Sequence, residues 1–324
     1  MAEFVLDAKN RKILAEMDFN AREPVSAIAK KVRLSQEVVN YRIKQLEKSG
    51  IIKGYYPVID MTRLGYMFCR FLIKFQHLTD EKEKEIIDYA KSHNSIGWII
   101  TVDGQWDFVL VIYAKNIYEL KNICDEIENR FSGIIKEKYM TIATKIYHFK
   151  NNFLFGTKDY SQLIVGEEPI IEKLDKIDFE ILHLLLENAK LSFVDIAKKV
   201  NLTANAVNHR IKMLVDKKII LGFRTALDYS LLGYQHQKIF LYTRNLDSRK
   251  RMELIEYLRS QPNVVYITEA VGKTNFEFEM FTQNSTATHQ FMRQLKNAFP
   301  EIIENYEIEL TCEERLVRYL PKSS

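Results

Sequence analysis

The chain is written twice, and that duplication limits its possible folds more than any other feature. Displacing the sequence by 168 residues aligns Leu6–Tyr66 with Leu174–Tyr234 without a gap, and 25 of the 61 positions are identical. Ile28-Ala29-Lys30-Lys31-Val32 falls on Ile196-Ala197-Lys198-Lys199-Val200, and Leu64-Gly65-Tyr66 on Leu232-Gly233-Tyr234. The same displacement carries Tyr89 onto Tyr257, Gly104 onto Gly272, Phe108 onto Phe276 and Phe131 onto Phe299. A repeat this long means two copies of one structural unit, about 6–149 and 174–317, with an ordered or semi-ordered connector at 150–173.

Composition matters here for what it excludes. Lys and Arg number 47 against 43 Asp and Glu, a net charge of +4, so any polyanion site must be a local patch rather than a basic coat. Cys69, Cys124 and Cys312 are odd in number and far apart, which excludes a disulfide framework or a CxxC metal knuckle. They are expected as reduced thiols of a cytoplasmic protein. The longest clean apolar run, Ile96–Val102, falls far short of the ~20 residues that span a bilayer. The opening MAEFVLDAKNRK lacks the apolar stretch and cleavage site of a signal peptide. No membrane partner is expected.

Each unit begins with three short helices. In the first, Ile13, Leu14 and Met17 sit at helical spacing, followed by Val25, Ile28, Ala29 and Val32. Arg33-Leu34-Ser35 makes a tight turn whose Ser35 is an N-cap, and a third helix runs from about Gln36 to Lys48 with Val39, Ile43 and Leu46 inward. Gly50 ends it. The second unit repeats the plan with cap Thr203 and inward Val207, Ile211 and Leu214. This is a helix-turn-helix pattern, and the β-prone IIKGYYPVID at 51–60 is placed to form a wing. The third helices leave Gln36, Glu37, Asn40, Tyr41, Lys44 and Lys48 outward in one unit, and Ala204, Asn205, Asn208, His209, Lys212 and Lys217 in the other, with Arg42 and Arg210 at the boundary. Asn and Gln form bidentate bonds to adenine, and Lys or Arg to guanine or phosphate. Residues 22–53 hold eight basic against three acidic side chains, and residues 190–221 seven against two, each a net +5. The helical blocks are therefore basic while the remainder is not, which is the footprint of a DNA-binding module.

The rest of each unit alternates strand and helix. Phe68–Phe75 alternates, a capped helix follows Thr79, Ser95–Val102 and Phe108–Tyr113 form a hairpin about Asp103-Gly104, and a helix from Asn116 leads to a last strand at 134–147. The order βαββαβ is a ferredoxin-like split βαβ, so the fold class is α+β with two winged helix-turn-helix and two ferredoxin-like domains. The expected partition is 1–62, 63–149, connector 150–173, 174–230 and 231–320. Helices cover one face of each sheet, and the other face requires a partner, which favours sheet pairing between the units.

With these residues in view, the chain resembles the Lrp/AsnC (feast/famine) family of transcription regulators. The resemblance rests on LDxxxxxIL at Leu6–Leu14, the IAKKV–LS–VNYRIKQLEKSGIIKGY run through Tyr55, Asp60 with Leu64-Gly65-Tyr66, and Gly104-Gln105-Trp106-Asp107 in the hairpin. It covers about 290 residues over both units. Members of the family are usually single units that dimerise through their βαββαβ domains. The fused chain looks like a covalent pseudo-dimer, with a higher homo-oligomer as a further option. The resemblance implies that the third helices enter successive major grooves of double-stranded DNA, about 34 Å apart. Tyr41 against His209 and Gln36 against Ala204 imply two unlike half-sites. It also implies a small effector, often an amino acid, near the hairpin: Gly104, Gln105 and Asp107 in one unit, Gly272 and Asn275 in the other. Asn275 replaces an acid that would pair an α-ammonium, so the second site departs from the pattern.

Catalytic signals are sparse. The seven histidines are scattered without metal-ligand spacing, and no GxSxG, P-loop or GxGxxG is present, so neither an enzyme nor a cofactor is expected. Siroheme decarboxylases resemble the same family and pair or fuse two units, with His and Arg in a sheet-lined cavity. Trp98–Val102 and Tyr266–Val271 carry neither residue, which favours the regulator. A third reading is an adaptor whose heads no longer touch DNA.

Overall fold

A computed structural model of the chain describes residues 6–166 and 170–321. The first unit opens with α1 (Ala8–Met17), α2 (Val25–Val32) and α3 (Gln36–Lys48). Asp7 caps α1 by accepting the Asn10 N–H at 2.7 Å, and Ser35 caps α3 by accepting from Val38 at 3.3 Å. Strands and helices follow as β1 (Ile52–Ile59), β2 (Met67–Phe75), α4 (Asp80–Ser92), β3 (Ile96–Asp103), β4 (Phe108–Ala114), α5 (Ile117–Phe131) and β5 (Ile135–Phe149). The connector carries a one-turn helix α6 (Asn152–Phe155) and β6 (Gln162–Val165), which pairs with the end of β5. The second unit repeats the series as α7 (Lys176–Glu187), α8 (Phe193–Val200), α9 (Ala204–Asp216), β7 (Ile220–Leu227), β8 (Gln235–Thr243), α10 (Ser248–Arg259), β9 (Val264–Val271), β10 (Phe276–Thr282), α11 (Ser285–Ala298) and β11 (Ile303–Val317).

The wing position of each head is filled jointly. After β1 the chain enters a short 3-10 turn at Met61–Leu64 and then β2, so no second strand is at hand within the head. Instead β1 pairs antiparallel with β7, Tyr55 opposite Thr225 and Tyr56 opposite Arg224. The ribbon joins the two three-helix heads.

The two ferredoxin-like sheets meet edge to edge. Within the units the orders are β5-β2-β4-β3 and β11-β8-β10-β9. Strand β3 then pairs with β11, and β9 with β5, all antiparallel, so eight strands close into a ring. The two 15-residue strands make the closure possible. Residues 135–143 of β5 pair with β2 and residues 142–148 with β9, while 303–310 of β11 pair with β8 and 310–317 with β3. Closure leaves the ring with no open edge for another chain to extend. The outward sheet face of the first unit packs Cys69, Phe71, Ile73 and Leu110 on α4 and α5, and that of the second packs Ile239, Leu241, Phe276 and Phe278 on α10 and α11. The alternate residues point inward, where Leu72, Trp106, Val109 and Phe240 form a small apolar cluster among buried charges. No helix among the described residues is long and apolar enough to cross a membrane. Nor is any group of three or more His, Cys, Asp or Glu side chains among them placed to hold a metal ion.

Candidate nucleic-acid interface

The third helix of each head is fixed by its buried face. Val39, Ile43 and Leu46 anchor α3, and Val207, Ile211 and Leu214 anchor α9. Gln36, Asn40, Tyr41, Lys44 and Lys48 lie exposed on α3, with Tyr41 65% accessible. Asn205, Asn208, His209 and Lys212 lie exposed on α9. The boundary arginines turn away from this surface. Arg42 donates to Asp7 at 2.6 Å and Asn10 at 2.9 Å, and Arg210 to Asp175 at 2.8 Å and Asp178 at 2.6 Å. The N–H of Asn10, with Arg42 behind it, holds the Asp7 carboxyl below its usual range, and the N–H of Asp178 with Arg210 does the same for Asp175. Both arginines thus tie the third helix to the cap of the first. Lys217, just past α9, pairs with Glu172 at 3.0 Å.

The heads grip each other by matched contacts. The Ala21 N–H donates to Phe223 O, and its repeat counterpart Ala189 donates to Tyr55 O. Arg22 lies over the Phe223 ring at 5.5 Å, and its counterpart Lys190 over the Tyr55 ring at 4.2 Å. Asp60 N–H reaches Ile219 O and Asp228 N–H reaches Ile51 O, each at 2.9 Å. Arg22 adds bonds to the carbonyls of Ala189 and Leu191. The spacing of α3 and α9 is therefore set by backbone and cation–π contacts rather than by a flexible tether.

Below the heads, charges are buried where the repeat is broken. Arg224 and Asp18, both nearly inaccessible, pair through Nε–Oδ1 at 2.9 Å, and Arg224 also donates to Phe149 O at 3.1 Å and Tyr266 at 3.3 Å. Asn151 donates its N–H and side-chain amide to the other carboxylate oxygen, Asp18 Oδ2, at 3.0 and 3.1 Å. One ion pair so joins the end of α1, the ribbon and the ring. Inside the ring Arg70 grips Glu277 with two nitrogens and bonds Thr141 at 3.1 Å. Lys238 bridges Glu277 at 3.1 Å and Glu279 at 2.8 Å, and His236 meets Glu279 at 2.9 Å. His148, beside Tyr266, is pushed down to about 3 by burial and then by the charge of Arg224. None of these His and Arg residues stands on β3 or β9, the two strands whose sequence held neither; they come from β2, β5, β7 and β8.

The hairpins reach the opposite unit's long strand. A Cβ on Gly104 would stand 2.8 Å from Ile308 O, and one on Gly272 2.9 Å from Met140 O, so both positions require glycine for close approach. The amides of Gln105 and Trp106 donate to Glu309 at 2.9 and 3.4 Å. Burial pushes the Glu309 carboxyl up to about 7 despite those two bonds. Asp107 accepts from Lys74 at 2.6 Å and from the Phe75 N–H at 2.8 Å, while Asn275 accepts from Thr243 at 2.7 Å. The counterpart of Glu309 is Thr141, so the two hairpins meet different chemistry.

A duplicated helix-turn-helix with outward Asn and Lys, carried on a closed pair of ferredoxin-like sheets, defines a winged DNA-binding architecture. The family model described as winged helix-turn-helix DNA-binding matches residues 6–53 and again 174–220. A helix-turn-helix-type transcriptional regulator of Pyrococcus furiosus is 30% identical over 41% of this chain and 89% of its own length. The proline dehydrogenase transcriptional activator of Rhodobacter capsulatus is 30% identical over 38% of this chain and 80% of its own. The chain belongs to the Lrp/AsnC family of helix-turn-helix transcription regulators. Its complete architecture is similar to a solved siroheme decarboxylase, NirDL, in complex with an iron-uroporphyrin III analogue, with a TM-score of 0.64 over 97% of this chain and 94% of that one at 12% identity. That likeness is one of fold.

Proposed function

We propose that the chain is a sequence-specific regulator that binds double-stranded DNA with two non-identical heads, as a pseudo-dimer within one polypeptide. The observation that carries this is the pair of third helices, each with an outward Asn and Lys and each fixed to the other head through the β1–β7 ribbon. Asn40 and Asn208 read bases, Lys44, Lys48 and Lys212 neutralise phosphates, and Tyr41 against His209 gives each half-site its own preference. Affinity falls linearly in log–log salt plots as counterions are released. Lys44→Ala and Lys212→Ala each weaken binding to all sequences and lower the salt slope by about 1, while Asn40→Ala or Asn208→Ala relaxes base choice at about 1–3 kcal/mol. The test is selection of bound fragments from a genomic library, followed by gel shifts with these variants. Unchanged sequence preference in both Asn variants overturns the base-reading assignment.

The non-enzymatic reading is supported by the state of the interior charges. Arg70, Lys238 and Arg224 are each matched by Glu277, Glu279 or Asp18, whereas a carboxylate-rich tetrapyrrole needs cations free to receive it. Tetrapyrrole absorbance retained by the purified protein would favour the enzyme instead. At the first hairpin an amino-acid effector would have to displace Glu309 from the Gln105 and Trp106 amides.

A further inference from the structure

The two hairpins and two long strands bring together an aromatic cage. The Lys273 ammonium lies 5.3 Å from the Tyr242 ring centroid, 5.6 Å from Trp106 and 5.9 Å from Tyr139. The Glu307 carboxylate closes the fourth side at 3.0 Å and also accepts the Tyr242 hydroxyl. Trp106 is only 3% accessible, while the lysine side chain keeps 31% of its surface in solvent. A buried indole thus backs an ammonium side chain that still reaches solvent. Three π faces and a carboxylate around one ammonium are the recognised arrangement for binding organic cations.

Among the described residues the cage occurs once. The repeat counterparts of Trp106, Tyr139, Tyr242, Lys273 and Glu307 are Thr274, Glu307, Lys74, Gln105 and Tyr139, so no second cage is formed at the other hairpin. We propose that Trp106, Tyr139, Tyr242 and Glu307 form a binding site for a small alkylammonium ligand, with Lys273 as a tethered occupant that an external amine replaces. The ligand is a simple amine and not an amino acid. With the lysine swung out, the charge nearest the three rings is Glu307, while Lys74 close by is paired with Asp107. The nearby amide donors of Gln105 and Trp106 are already taken by Glu309. The Gln105 side-chain amide and the Tyr242 hydroxyl are engaged by Glu307, so a ligand carboxylate would have to displace that carboxylate to reach a donor.

The inference is independent of DNA binding, and its test uses none. The full-length Lys273→Ala variant is titrated with butylammonium chloride, with tryptophan emission as the readout, since Trp106 is one of two tryptophans. A saturable change is expected. Wild type responds about tenfold more weakly, because an occupied site lowers apparent affinity by the fraction of time it is open. Adding Glu307→Gln weakens the response, putrescine reproduces it, and glycine and butyrate do not. Lys273→Ser provides a second opened cage. The proposal fails if neither variant gives a saturable response, if glycine or butyrate serves as well as the amine, or if Glu307→Gln changes nothing. It fails equally if neither variant folds, since Lys273 would then be a fixed structural plug.

Discussion

The Asp18–Arg224 pair offers a sharp test of how the heads are fixed to the ring. Arg224→Met leaves Asp18 buried with two bonds from Asn151 and no cation. Removing one partner of a buried pair costs about 3–5 kcal/mol. At roughly 2.1 cal/mol/K of unfolding entropy per residue, a 324-residue chain shifts about 1.5 °C per kcal/mol, so the melting temperature should fall by about 4–7 °C. Asp18→Leu should cost a similar amount, because it leaves Arg224 with only Phe149 O and the Tyr266 hydroxyl. The double variant is informative because the repeat already holds its apolar counterpart: Leu186 matches Asp18, and Tyr56, stacked on Tyr319 at 4.8 Å, matches Arg224. Asp18→Leu with Arg224→Met leaves no lone charge, and should recover about 2–3 kcal/mol of the summed losses. Thermal melts by circular dichroism on all four proteins complete the cycle. Losses that add to within about 0.5 kcal/mol would refute the claim that the two charges act as one joint.

Other substitutions separate neighbouring roles. Gly104→Ala should destabilise by about 1–3 kcal/mol, since its Cβ meets Ile308 O and the Glu309 carboxylate, whereas Gly54→Ala on the ribbon has open space and should be tolerated; urea midpoints distinguish them. Arg42→Ala and Arg210→Ala should lower melting temperature more than they alter the salt slope of DNA binding, with Arg210 the costlier because its partner Asp178 is buried. The Glu309 carboxyl rises from 4.5 in the unfolded chain to about 7 in the fold, so its stabilising contribution is complete below pH 4.5 and is lost as pH climbs through 7. Glu309→Gln should remove that decline, seen as a difference between the two stability–pH curves that opens between those values.

Local structure was largely legible. Ser35 and Thr203 mark the starts of α3 and α9, and the spacing of Val39, Ile43 and Leu46 identifies the buried face because a helix turns every 3.6 residues. The βαββαβ order follows from alternation and caps in the same way. The pairing partners did not. Alternation tells which residues share a face but not which strand lies alongside, and β3–β11 and β5–β9 join segments some 120–220 residues apart. The ring interior was hidden for a related reason. Glu277 and Glu279 alternate with Phe276, Phe278 and Met280 as a half-exposed strand would, yet they face Arg70 and Lys238 from β2 and β8. Arg70, lying among Phe68, Phe71 and Phe75, was the available signal. Likewise the outward spacing of Arg42 and Arg210 was readable, while their recruitment by Asp7 and Asp175 depends on helix crossing.

Joining the units in one polypeptide also changes what mutation can do to them. In a symmetric assembly of identical chains every substitution is felt twice, and a charge placed at the interface must find its complement in the same sequence. Here Glu277 lies against Arg70 while the matching position, Val109, stays apolar. Such one-sided bonds are open only to halves encoded separately, and they make each half a poor mate for itself: severed, the fragments should reunite as unlike partners and leave like ones alone.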